Sequence, residues 1–267
     1  MTDLAGQHAL VTGASRGIGA AVARELARSG ARVTLLGRTG TPLEGLADEI
    51  ARVHGVGAFP VVADVTDAAG VERAVATARA ALGEVTILVN NAGGAGSAAF
   101  LESDDALWRR MLDVNLMGAV FCTRAVLPAM RAARAGSIVN MASTAALEGY
   151  RYVSAYCAAK HALLGLTRSL ASELARDGIR VNAVCPAYTD TDMLDESARA
   201  TAGRTGRSAD DIRAAYAKAN ASGRLVTPAE VAEAVRWLCD DAQRAINGDA
   251  IVVDGRPWTS SGAGSNP

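Results

Sequence analysis

Cysteine is scarce in this 267-residue chain. Its four cysteines, Cys122, Cys157, Cys185 and Cys239, stand far apart with no CxxC pair. A disulfide framework and a structural zinc site are therefore not expected, and a reducing cytoplasm suits the chain best. Histidine is equally sparse: His8, His54 and His161 show no metal-ligand spacing, which leaves metal chemistry and Ser-His-Asp hydrolysis without support. Excess charge is missing too, with 27 basic against 28 acidic residues and a net charge of −1. That balance offers no electrostatic footprint for nucleic acid or an anionic membrane. No uninterrupted apolar run reaches the roughly 18 residues of a membrane span. The opening stretch, Met1 to Gly13, lacks the basic-then-apolar order of a secretory signal.

What the chain does have is apolar content, 50% of residues, with 21% charged. That is enough for a sizeable core and excludes wholesale disorder. Short Val/Ile/Leu runs alternate with long Ala-, Leu-, Arg- and Glu-rich segments. Strands are expected near His8–Thr12, Arg32–Leu36, Ala58–Val62, Thr86–Asn90, Ser137–Met141, Arg180–Cys185 and Ala250–Val253. Most are continuously apolar, as strands covered on both faces should be. Helices are expected near Ile18–Ser29, Pro42–His54, Ala68–Leu82, Asp104–Arg134, Ser154–Arg176 and Pro228–Asp240. Thr41-Pro42 and Thr227-Pro228 each read as a cap followed by proline in the first turn. Repeated strand–helix–strand units imply an α/β fold with a seven-stranded parallel sheet, right-handed crossovers and helices on both faces. The whole chain, 1–267, reads as one domain, with a frayed tail from Trp258. One segment breaks the rhythm: residues 188–224 are polar and Ala-rich, with a weak helical stretch near Ala209–Lys218. Its place after the sixth strand favours a substrate lid over a surface insertion.

The first strand runs into Thr12-Gly13-Ala14-Ser15-Arg16-Gly17-Ile18-Gly19, and a helix follows. Glycines there let the backbone approach a pyrophosphate, and the helix start supplies unpaired N–H groups with a partial positive charge. The position, after the first strand and before the first helix, is the one a doubly wound, Rossmann-type dinucleotide fold requires. Ser15, Ile18 and the three glycines are the candidate contacts. The second strand ends in Leu36-Gly37-Arg38-Thr39, with no carboxylate for a ribose 2′-hydroxyl. Arg38, joined by Arg16, instead offers cations to a 2′-phosphate, so NADP(H) is expected over NAD(H). Asp64-Val65 either flanks the adenine or begins the next helix with a cap.

Tyr156 and Lys160 lie four apart in a helical stretch and share one face. A free tyrosine, with a pKa near about 10, is a poor base at neutral pH, and a nearby ammonium is expected to lower that value. Ser143 ends the fifth strand, where its hydroxyl can hold a carbonyl oxygen while Tyr156 donates or removes a proton. Asn115 sits mid-helix, where asparagine is a poor helix former. Either it orders water beside Lys160 or it bonds the local backbone.

With these residues in order, the chain resembles the classical short-chain dehydrogenase/reductase family from Gln7 to about Gly255. The glycine motif matches Thr12-Gly13-x3-Gly17-x-Gly19. The Asn-Asn-Ala-Gly motif matches Asn90-Asn91-Ala92-Gly93. The catalytic tetrad maps onto Asn115, Ser143, Tyr156 and Lys160. The resemblance implies hydride transfer between a nicotinamide and a carbonyl or secondary alcohol. It gives Lys160 a second role on the nicotinamide ribose, and Asn91, Ala92 and Gly93 a place along the cofactor cleft. The family's Pro-Gly-x3-Thr motif reads Pro186-Ala187-Tyr188-Thr189-Asp190-Thr191 here. Thr191, with Thr189, stays available to the carboxamide. Ala187 replaces the glycine, and either backbone strain at positive φ or crowding by its methyl is expected to loosen the cofactor site.

Met141, Tyr150, Tyr152, Tyr188, Met193 and Leu194 are expected around the substrate, giving an apolar pocket with hydroxyl groups. The stretch from Gly149 to Lys160 and the Thr-Asp-Thr-Asp-Met run at 189–193 resemble family members acting on 3-oxoacyl or 3-hydroxyacyl thioesters, a small-molecule class, and members acting on steroids, polyols or aromatic ketones share them. A cofactor-sensing protein without turnover is the alternative of another class. A methyltransferase is disfavoured, because Gly37-Arg38 stands where it needs an acid. The helices at Asp104–Arg134 and Ser154–Arg176 are apolar on more than one side. The resemblance implies that they pair between subunits of a homotetramer with two-fold axes.

Overall fold

The computed structural model describes residues 4–257, so the tail from Trp258 lies outside the described residues. The chain runs β1 (His8–Thr12), α1 (Gly17–Arg28), β2 (Arg32–Gly37), α2 (Gly40–His54), β3 (Ala58–Val62), α3 (Ala68–Leu82) and β4 (Ile87–Asn90). It continues α4 (Asp105–Leu112), α5 (Gly118–Ala133), β5 (Gly136–Met141), α6 (Ser154–Leu174) and β6 (Ile179–Pro186). After β6 come α7 (Asp192–Thr205), α8 (Ala209–Ala219), α9 (Pro228–Cys239) and β7 (Ala250–Val253). All seven strands are parallel, in the order β3-β2-β1-β4-β5-β6-β7. The order reverses between β1 and β4, so a crevice opens beyond their carboxyl ends.

Both faces of the sheet are covered, and alternate side chains of each strand serve opposite faces. Ala9, Val11, Val33 and Leu35 meet Val22 and Leu26 of α1, Leu43 of α2 and Val235 of α9. Leu10, Leu36, Leu88 and Ile138 meet Val71 of α3, Val126 of α5 and Leu174 of α6. This double covering is why the strands read as unbroken apolar runs.

Three expectations need correction. The single helix expected at Asp104–Arg134 is broken by a π turn at Asp113–Met117. By length and composition the segment Asp105–Ala133 would also pass as a membrane span. In the fold, however, Cys122, Val126 and Met130 press it onto the sheet as a core helix. The cap at Thr227-Pro228 forms, with Thr227 and Glu230 bonding each other's backbone. Thr41 caps nothing, because α2 already begins at Gly40 with Thr39 in the cap position. Finally, residues 188–224 hold two helices, not one weak stretch. Few of their residues are buried (Leu194 and Ala198 in α7, Ile212 in α8), so the apolar periodicity that marks a helix was thin.

Candidate active site

The ends of β1 and β4 are stitched together below the crevice. The Thr12 hydroxyl accepts from the N–H groups of Asn91 and Ala92, both at 2.9 Å. The Asn91 amide donates to the carbonyls of Thr12 at 2.9 Å and Gly13 at 3.2 Å. The α1 start then passes so close that a Cβ on Gly19 would lie 2.2 Å from the Gly13 carbonyl oxygen. Arg16 occupies the N-cap position of α1 without a side-chain cap, and the first turn holds no acid. Its free N–H groups therefore face the cleft. An uncapped helix start above a glycine-rich turn fits the pyrophosphate of a dinucleotide.

The cleft has a volume of about 1500 Å³, and every residue expected from the sequence to contact cofactor or substrate lines it. Asn115, Ser143, Tyr156 and Lys160 line it together. Asn115 is 2% exposed and sits in the π turn. Its amide donates to the carbonyls of Gly94 and Met111, each at 3.0 Å, and its oxygen accepts from Gly94 N–H at 3.2 Å. The side chain bonds backbone groups and pins the loop after β4. A Cβ on Gly93 would lie 2.8 Å from the Asn115 oxygen and 3.6 Å from Lys160 Nζ, so glycine is needed where those two converge.

Lys160 Nζ lies 5.7 Å from the Tyr156 ring centre and donates to the Met141 carbonyl at 2.8 Å. Burial lowers its pKa to about 8. The expected lowering at Tyr156 is reversed. Burial pushes the phenol up to about 12, although its hydrogen bond with Ser143 pulls the other way. Ser143 also accepts from the N–H of Ala145 at 3.1 Å, which fixes its hydroxyl at the strand end. A protonated phenol, a fixed hydroxyl and a buried amine are suited to giving a proton to an oxygen that becomes negative.

Arg38 is exposed and pulls on Asp64 only from a distance. Asp64 caps no helix. Its carboxylate accepts from the N–H of Thr66 at 2.9 Å and its hydroxyl at 2.8 Å, a local turn that lowers its pKa. Arg16 is engaged already, reaching Asp192 and Glu196 of α7 at 3.3 Å each. Ala187 has no positive φ, since Arg134 and Tyr152 are the non-glycine residues with that geometry among the described residues. The strain expected at Ala187 is therefore absent, and its methyl packs against the core on the α9 side of the sheet. Thr191 caps α7, its hydroxyl accepting from the N–H of Leu194 at 3.3 Å.

Three residues not singled out from the sequence shape the substrate end. Tyr216 of α8 stacks on Tyr188 with centroids 4.5 Å apart, and Tyr150 meets Tyr188 edge-on. Asn220, 5% exposed, accepts from Tyr188 N–H at 3.0 Å and donates to the carbonyls of Tyr188 and Arg224, closing the base of the segment 188–224. Arg204 of α7 crosses to Ser97, as described below. Their signal was there only in part: Thr191 ahead of an acidic first turn, and Gly206 after Thr205, are a start and stop for α7.

The short chain dehydrogenase family model matches residues 7–202. The chain is 40% identical over 256 residues to Oxidoreductase UcpA of Escherichia coli (strain K12), covering 96% of this chain and 95% of that one. It is 42% identical over 251 residues to cis-4-hydroxycyclohexanecarboxylate dehydrogenase of Sinomonas cyclohexanicum, with 92% and 94% covered. Among solved structures, a variant of actinorhodin polyketide ketoreductase with NADPH superposes with a TM-score of 0.89 at 37% identity, over 93% of this chain and 96% of that one. With the tyrosine, lysine and serine set around a crevice built for a dinucleotide, the chain belongs to the short-chain dehydrogenase family and is an oxidoreductase of that kind.

Proposed function

We propose that the protein is an NADP(H)-dependent reductase that interconverts a ketone and a secondary alcohol on a small molecule. The observation that carries this reading is the protonated Tyr156 phenol bonded to Ser143 and set beside the Lys160 amine. Arg38, Arg16 and the α1 start would hold the cofactor's phosphates, and Thr191 and Lys160 its nicotinamide end. The chemistry such a cofactor supplies is hydride transfer to a carbonyl carbon. Ser143 holds the carbonyl oxygen, Tyr156 gives it a proton as it turns negative, and the Lys160 ammonium stabilises the phenolate left behind. The pocket of tyrosines with Met193 and Leu194 accepts an apolar body. That fits an acyl thioester as well as a cyclic ketone, and two of the similar proteins are named as a cis-4-hydroxycyclohexanecarboxylate dehydrogenase and a polyketide ketoreductase. The region 188–224 serves as the lid over it. A panel of ketones and alcohols with NADPH, NADH and their oxidised forms tests the reading, and no turnover of any pair would reject it.

Assembly belongs to the same proposal. Phe100 and Leu101 stay 68% and 97% exposed beside α4, and we take α4, α5 and α6 to pair between subunits of a homotetramer. Light scattering at micromolar concentration checks this, and a monomer's mass would contradict it. The four buried, unpaired cysteines suit the cytoplasm.

A further inference from the structure

We infer that the mouth of the cleft selects substrates carrying an anionic group remote from the reacting carbonyl, and that Arg204 and Arg151 hold it. This rests on the reductase reading above and narrows its substrate class.

Three segments converge at the mouth. Ser97, in the loop after β4, accepts from Arg204 Nη1 of α7 on its carbonyl at 3.3 Å and its hydroxyl at 2.9 Å. The next residue, Ala98, donates its N–H to the Tyr152 carbonyl at 2.8 Å. Arg151 directly precedes Tyr152 and lies 5.4 Å from the centre of its ring. All three segments line the cleft, and Tyr152 stands four residues before the proposed proton donor, Tyr156. The mouth is therefore within reach of a substrate whose carbonyl sits at Ser143.

This corner carries available positive charge. Arg16 of the same cleft, by contrast, is engaged by Asp192 and Glu196. Neither mouth arginine has a carboxylate partner among the described residues. The remaining contact of Arg204 is the Thr201 hydroxyl at 3.4 Å, and that of Arg151 is the Tyr152 phenol at 3.4 Å. Between mouth and floor, burial raises the pKa values of Tyr150 and Tyr188 and keeps their phenols neutral, and Glu148 accepts from the Tyr150 hydroxyl at 2.8 Å. Tyr152 is held at φ +67, a conformation that costs a bulky side chain energy and recurs at ligand clamps. Two guanidinium groups with donors to spare, a hydroxyl and an exposed ring suit a planar carboxylate or a phosphate. The middle of the pocket suits an apolar body.

The test uses the full chain with NADPH and two matched pairs. One is 4-acetylbenzoate against its methyl ester, which asks for a carboxylate. The other is acetoacetyl-CoA against acetoacetyl-N-acetylcysteamine, which asks for phosphate. The wild type should favour the anionic member of one pair by about tenfold or more in kcat/KM, and the pair that shows it identifies the group. Arg204→Gln and Arg151→Gln should each cut that preference at least about threefold, as loss of one charge-assisted bond at an open rim would. Arg204→Lys should restore part of it. A ratio near one in the wild type for both pairs overturns the inference. So does an equal loss on both members in the variants, which would make the arginines merely structural. If these ketones are inert while neutral ketones of the wider panel are reduced, the inference falls and the reductase reading stands. If nothing in the wider panel is reduced, both fall.

Discussion

On the floor of the cleft, Asn115 and Lys160 are 2% and 5% exposed, and both spend their bonds on backbone carbonyls. Where the glycine turn meets the proposed lid, Arg16 is 59% exposed and the two acids it meets on α7 are 61% and 55% exposed. The contrast is between a constellation fixed by burial and one fixed by charges in water. Burial moves pKa values and makes each group costly to misplace. Exposed ion pairs contribute about 0–1 kcal/mol each and can be exchanged for other partners. On the proposed mechanism the floor holds a reacting oxygen and the lid admits cofactor, so such a cleft has reason to use both.

The largest expected effect tests the floor. Tyr156→Phe removes the proton donor without altering the glycine turn. Turnover of the best ketone should fall by at least about 10²-fold, while NADPH binding followed by fluorescence stays within a few-fold of wild type. Undiminished turnover would take Tyr156 out of the chemistry and leave the floor with a structural role only.

At the edge between the two regions stands Arg38, exposed and without an ion pair among the described residues. A charge-assisted bond to a 2′-phosphate contributes about 1.5–3 kcal/mol. NADPH should therefore bind at least about tenfold more tightly than NADH, and Arg38→Asp should reverse the order. An NADH preference in the unaltered protein would show that the second strand's end has been misread.

The pH profile sharpens the floor's half of the comparison. Reduction needs Tyr156 protonated, which its pKa of about 12 ensures, and Lys160 charged, which its pKa of about 8 limits. For an amine, a lowered pKa means that the cation is lost sooner as pH rises. Reductive kcat/KM, which reports the free enzyme, should be level through neutrality and fall above about pH 8 by roughly tenfold per unit. A falling limb that begins only near pH 10 would mean that burial does not act on Lys160.

The lid should answer more gently. Asp192→Asn with Glu196→Gln releases Arg16 for the cofactor phosphates. NADPH binding should tighten by about two- to fivefold, the range of exposed pairs, and less at high salt. Weaker binding in the double variant would show that the ion pairs order the closed cleft instead of competing for Arg16.

The same contrast explains what could be read from the sequence. The floor was legible because backbone geometry demands particular residues: the Gly13-x3-Gly17-x-Gly19 turn, the apolar strands and the Tyr156/Lys160 spacing each have few substitutes. The π turn at Asn115 was not legible, and the residue's bonds reach Gly94, 21 residues away. Nor was the sign of the Tyr156 shift, which depends on how deep the phenol sits and not on how near Lys160 is in sequence. The lid was least legible, because α7 and α8 are held by Arg213 on Asp190 and Asp195, by stacked tyrosines and by Asn220. Those long-range polar contacts leave no period in the chain.

The smallest effect lies where floor and lid join. Ala187 follows β6, its N–H bonded to Val253 at 2.9 Å and its carbonyl accepting from the Thr189 hydroxyl at 2.9 Å. With φ outside the left-handed region, alanine carries no strain there for glycine to relieve. Ala187→Gly would instead loosen the backbone, at about 0.5–1 kcal/mol, and remove a methyl that packs against the core. The net change should be a Tm lower by about 2–4 °C, with NADPH affinity altered by less than about threefold. A tighter site by a full decade would mean that the methyl crowds the nicotinamide after all. The joint would then belong with the floor, where one carbon atom decides binding.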